Sequence, residues 1–102
     1  MPEFSSLKTI DQERVTVDAT VGGVSLTFSK FLDPPLAKTA RVTVETATIR
    51  YLTDGTAPTS TTGTLAYSGD SISLNNPSEL WNFRAIRTGG TSATLQVLYF
   101  GD

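Results

Sequence analysis

Three aspartates, Asp33, Asp54 and Asp70, stand in turn-forming contexts where a carboxylate could meet a cation. A calcium loop needs several oxygen ligands spaced along one segment. Thr53-Asp54-Gly55-Thr56 offers one carboxylate beside hydroxyls, so the simpler role for Asp54 is a side-chain cap on its own turn. Glycoside hydrolysis would require two acids across a cleft, and no spacing brings Glu45 and Glu79 together. The chain has neither His nor Cys. That removes the commonest general base, the commonest metal ligand, thiolate chemistry and disulfides, and it leaves the serines without a base to activate them. Phosphate- and dinucleotide-binding glycine patterns are absent. Trp81 with Tyr51, Tyr67 and Tyr99 could build a sugar-stacking platform, although aromatic residues in strands more often fill a core or an interface. Arg84 and Arg87 read either as solvated strand positions or as partners for Glu79 or for another protein's acids. The residue types point to binding or assembly rather than catalysis, and no cofactor or metal is expected.

The elements that hold these residues follow from composition and alternation. A chain of 102 residues fits one domain and can bury a core without staples. The net charge of −2, with acids and bases interspersed, offers no basic stripe for nucleic acid. No run of apolar residues is long enough for a membrane span, and Met1–Asp11 lacks the pattern of a signal peptide, so a soluble protein made in a cytoplasm is expected. Thr, Val, Ile, Tyr and Phe recur at alternate positions, which suits a pleated surface better than a helix. No window shows a 3.6-residue apolar period.

Residues 1–12 read as an N-terminal arm, either frayed or partner-binding, with Phe4, Leu7 and Ile10 as its anchors; residues 13–102 read as the domain. Val15, Val17 and Ala19 share one face, Gly22-Gly23 supplies a tight turn, and Val24, Leu26 and Phe28 return, which predicts a hairpin. Pro34-Pro35 makes Lys30–Lys38 a connection between sheets. Its apolar Phe31, Leu32 and Leu36 either plug the end of a sandwich or face a partner. The inward set Ala40, Val42, Val44 becomes Ala47, Ile49, Tyr51, out of phase, so a bulge or a change of sheet is expected near Thr46. Asp54-Gly55 and Pro58 then shape a Thr/Ser-rich crossover between sheets, leading to short strands at Thr64–Tyr67 and Ser71–Leu74. A strand over Leu80–Arg87, a second hairpin turn at Gly89-Gly90 and a last strand over Ser92–Phe100 complete the pattern. The expected fold is all-β: a single antiparallel β-sandwich of about eight short strands, with a jelly-roll-like order or a small barrel as its variants.

The run IRYLTDGTAPTSTTG, then GDSISL, then WNFRAIRTGGTSATLQVLYFG resembles small phage structural-module proteins. In that group an IRY-x-x-DG-x-x-PT strand and turn precede an F-R-x-I-R strand and a closing A-x-L-x-V-x-Y-F-G strand. The likeness covers residues 42–101, and the turn alone is also similar to β-sandwich modules appended to carbohydrate-active enzymes. The resemblance implies a virion accessory protein made in the host cytoplasm, of the kind that decorates or cements a capsid. It implies the major capsid protein or another virion protein as partner and a homo-oligomer such as a trimer; composition and hydropathy add the expectation of no nucleic acid and no membrane as partners. It carries over no catalytic residue. The expected contact surfaces are Phe4, Leu7 and Ile10 of the arm and Phe31, Leu32 and Leu36 of the loop. A carbohydrate-binding module and another virion position (neck, tail or head fibre) are the alternatives.

Overall fold

The computed structural model describes residues 8–27, 31 and 37–101. Phe4, Leu7, Phe28, Leu32 and Leu36 therefore lie outside the described residues. Among the described residues, seven strands and one short helix follow in chain order: β1 (Lys8–Val17), β2 (Thr39–Glu45), β3 (Ile49–Leu52), β4 (Thr64–Ala66), β5 (Ser71–Leu74), α1 (Pro77–Asn82), β6 (Arg84–Arg87) and β7 (Ala93–Gly101). Two antiparallel sheets form, one in the order β1-β7-β2-β5 and the other β4-β3-β6.

Alternation explains the first sheet. Val15 and Val17, Ala40, Val42 and Val44, Ile72 and Leu74, and Ala93, Leu95, Val97 and Tyr99 are all buried, while the residues between them face outward. Ile49, Ala66 and Ala85 of the second sheet join them in one core, which Leu80 and Phe83 also enter. Each large aliphatic side chain buried there contributes about 1.5–3 kcal/mol before the entropy cost of ordering it.

The strand order identifies the topology. A single bridge between Val24 and Ala85 extends the second sheet to the order Val24, β6, β3, β4. Successive segments then occupy sheets one, two, one, two, two, one, two, one, which is the eight-strand path of a jelly roll. The expected sandwich is therefore present, with its second strand reduced to one bridge.

Several local expectations change. The predicted hairpin does not form: Gly23 donates to Thr20 at 2.9 Å and closes a turn, but the chain then crosses to the other sheet. Val15 and Val17 pair with Leu95 and Ala93 instead, because a partner buried along its whole alternate face outweighs a nearby one. Gly89-Gly90 is likewise a crossing between sheets, from β6 to β7, and not a hairpin. The segment from Asp54 to Gly63 is the reverse: it links β3 and β4, which pair within one sheet, so it is a hairpin loop and not a crossover. The phase slip near Thr46 is resolved by a change of sheet, with Thr46 itself at φ +80° between β2 and β3. Of the expected strand Leu80–Arg87, only β6 remains. Asn76 caps α1, accepting the Glu79 amide at 3.0 Å, while Glu79 returns a carboxylate to the Asn75 amide at 2.6 Å, and Pro77 opens the first turn.

The sheet also begins before the expected boundary at residue 13. Lys8–Gln12 belong to β1, paired with Leu98–Gly101, and a bulge between Thr9 and Asp11 turns Ile10 toward the core.

Candidate functional site

The second sheet buries side chains on both of its faces. Ala85 points into the core, whereas Ile86, its neighbour on β6, points the other way and is still only 9% exposed. Across the strands Ile86 stands beside Arg50, and Arg50 beside Leu65. Two loops fold over this outer face. One is the 53–63 hairpin loop, which Arg50 clamps by donating from Nε to the Ser60 carbonyl at 3.1 Å and from Nη1 to the Gly63 carbonyl at 2.7 Å. The other is the 18–23 turn, which Arg84 holds from Nη1 to the Gly22 carbonyl at 3.4 Å.

Between the loops lies a cleft of about 480 Å³, within the usual range of small ligand sites. Ile86 and Pro58 form apolar wall, Ala19, Val21 and Ala57 extend it, and Thr59, Ser60, Thr88 and Arg87 bring polar groups. Val21 at its rim is 97% exposed, an unusual position for an aliphatic side chain.

The turn residues read from the sequence build this cleft. Gly22, Pro58 and Gly89 line it. Gly23 is at φ +85°, and a Cβ there would stand 3.1 Å from Arg84 Cβ and 3.2 Å from Pro58, so only glycine lets the two loops close. Pro58 is fully buried. Asp54 caps its own turn, accepting the Thr56 amide at 3.0 Å and the Thr56 hydroxyl at 2.6 Å, and Gly55 follows at φ +90°. Those bonds, the hydroxyl first, hold the Asp54 carboxyl below the usual carboxylate range. Asp18 does the same for Thr20 in the other loop and is lowered for the same reason, with a small contribution from Arg87.

Arg87 is a less settled group. Nη1 donates to Ser92 Oγ at 3.1 Å, while Nε is buried without a hydrogen-bond partner among the described residues. A guanidinium carries five donors, so Arg87 retains capacity for an acceptor.

Of the expected contact residues, the two within the described residues, Ile10 and Phe31, are not part of this cleft. Ile10 is half-buried against the core. Phe31 is buried, edge-on to Trp81 at 5.2 Å between centroids and tilted against Tyr99 at 6.2 Å, which is the plugging role for that residue. Trp81 is 42% exposed, and Tyr67 is exposed on a different element; Tyr51 stacks on Phe83 at 5.8 Å and Tyr99 is buried. The tyrosines and Trp81 therefore do not assemble into one platform. Glu45 hydrogen-bonds Gln96, whereas Glu79 caps α1, so the two glutamates serve separate local roles.

A carboxylate that sequence reasoning passed over is Glu13. In phase with Val15 and Val17, it stands on the core-facing side of β1, where it accepts the Tyr99 hydroxyl, the Thr27 hydroxyl at 2.5 Å and the Thr27 amide at 3.1 Å. Burial, and then the Glu13 carboxylate, push the Tyr99 phenol far above its ordinary value.

Among the described residues no group of three His, Cys, Asp or Glu side chains is placed to hold a metal, and no helix is long and apolar enough to cross a membrane. No family model matches the chain, and no curated protein and no solved structure matches it significantly.

Proposed function

We propose that this chain is a virion structural protein, a capsid decoration or cement domain that binds the major capsid protein and strengthens the head. The observation that carries the reading is the jelly-roll path, a fold recurrent in viral capsid domains, combined with where the phage-like segments fall in it. IRY of β3 pairs with RAIR of β6, and LQVLYFG is most of β7, the strand between β1 and β2. The mechanism is mechanical. Copies seated across neighbouring subunits add binding free energy at about 25 cal/mol per Å² of apolar surface buried, multiplied by the symmetry of the shell. The protein then acts in the virion after synthesis in the host cytoplasm, with a homo-oligomer such as a trimer as the unit that docks.

The test is cosedimentation of purified protein with expanded heads of the parent virus, followed by electron-microscopy reconstruction. Saturable binding with density at regular lattice positions is expected. Density at the neck, tail or a fibre would move the assignment within the virion, and no density would overturn it. Jelly rolls also occur in lectins, and Trp81 is part-exposed, so a carbohydrate-binding reading is checked by Trp81 fluorescence titrated with oligosaccharides. A flat response is expected.

A further inference from the structure

The cleft over β6 combines features that select one kind of occupant. Its apolar part is small: Ile86 is only 9% exposed and Pro58 is covered, so Ala19, Val21 and Ala57 offer most of the accessible surface, enough to seat one aliphatic side chain. Arg87 is the one charged residue in its lining, and Arg50 and Arg84 stand on the same outer face as Ile86, holding the loops that carry Ser60 and Gly22. Among the described residues their hydrogen-bond acceptors are neutral oxygens of Ser60, Gly63, Gly22 and Ser92. Against these three positive groups the two loops bring Asp18 and Asp54, whose carboxylates bond threonines of their own loops, so the face keeps a small positive balance on a chain whose net charge is −2.

We infer that the cleft is a docking site for an acidic peptide segment of a protein partner, which inserts one aliphatic side chain among Ala19, Val21, Ala57 and Ile86 and presents flanking carboxylates to the arginines. The charge complementarity sets the sign of the partner and the apolar wall sets its anchor. Guanidinium–carboxylate pairs at such a rim act mainly on encounter rate and specificity, while the anchor supplies the affinity. That the segment belongs to the capsid protein rests on the function proposed above; the chemistry of the cleft does not.

The probe is the peptide Ac-Glu-Leu-Glu-NH2, titrated to about 10 mM, the range of single-anchor affinities, into uniformly 15N-labelled protein. Saturable amide shifts are expected at residues 19–22, 59–60 and 86–89, weakening with added salt. Ac-Glu-Ser-Glu-NH2 should bind at least about tenfold more weakly, since one buried aliphatic side chain is worth that factor or more. Ac-Lys-Leu-Lys-NH2 should produce no saturable shift. Arg84→Gln should weaken binding of the acidic peptide and leave the spectrum dispersed, and Val21→Ser, at an exposed position, should weaken it without touching the fold. Equal binding of the serine or lysine peptide, shifts outside the cleft, or none at the highest concentration would overturn the proposal. Because no capsid is present, such a failure leaves the virion reading standing, and a failed cosedimentation leaves the cleft standing.

Discussion

Tyr99 and Glu13 show how one hydrogen bond sets a pH limit. The phenol is raised in the folded state, so its contribution is complete below the ordinary tyrosine value of about 10 and is lost as pH rises beyond it. Tyr99→Phe should lower stability by about 1.5 kcal/mol, a bond to a charged but partly solvated acceptor, and should flatten the alkaline limb of a urea-midpoint profile above pH ~10. An unchanged alkaline limb would detach Tyr99 from it. At the other end of the scale, Asp18 and Asp54 are lowered by threonine hydroxyls and amides. Their contributions are present above the ordinary aspartate value of about 3.9 and are lost as pH falls through the depressed folded values. The Thr56 amide resonance should therefore titrate below about pH 4, and Asp54→Asn should abolish that titration while keeping the turn.

At the scale of elements, two glycines separate backbone strain from crowding. Gly69, at φ +98°, has open space where a Cβ would stand, whereas Gly23, at φ +85°, has Arg84 and Pro58 within 3.2 Å. Gly69→Ala should cost about 1–2 kcal/mol from the left-handed backbone alone. Gly23→Ala should cost more, and denaturant titration of the pair measures the difference. For α1, Asn76→Ala should cost about 1 kcal/mol through loss of the cap, read as a fall in thermal midpoint of about 4–8 °C. These elements also show what was legible beforehand. Alternation in β2, β5 and β7 exposes the buried face directly, and the broken phase at Thr46 marks the change of sheet. The Gly-Gly turns were recognisable as turns, yet which strand each adjoining segment pairs with depends on residues some eighty positions away, such as Ala93 opposite Val17. Helix α1 was hidden because Trp81, Phe83 and Ala85 mimic a strand, although Asn76-Pro77-Ser78-Glu79 carries its start signal. The cleft was invisible for a similar reason: its lining comes from the 19–22, 57–60 and 86–89 segments, and none looks chemical by itself.

For the whole molecule, the boundary of the N-terminal region is testable. Removing residues 1–7 leaves β1 and its pairing with β7 complete, so the thermal midpoint should stay within a few degrees. Removing residues 1–12 strips the partners of Leu98–Gly101 and the packing of Ile10, and the midpoint should fall by at least about 5 °C. A capsid-binding defect seen only with the longer deletion would then report on folding and not on contact.

The place of β7 between β1 and β2 has a consequence for biosynthesis. A ribosome releases β1 and β2 long before the strand that joins them, so the first sheet has no centre until β7 has been made. During that interval two apolar-faced strands wait with exposed edges, the condition under which nascent chains recruit holding factors or associate with one another. Production of this protein should therefore depend on how quickly β7 follows β2 in translation, and rare codons placed in β7 should hurt yield more than the same codons placed in β1.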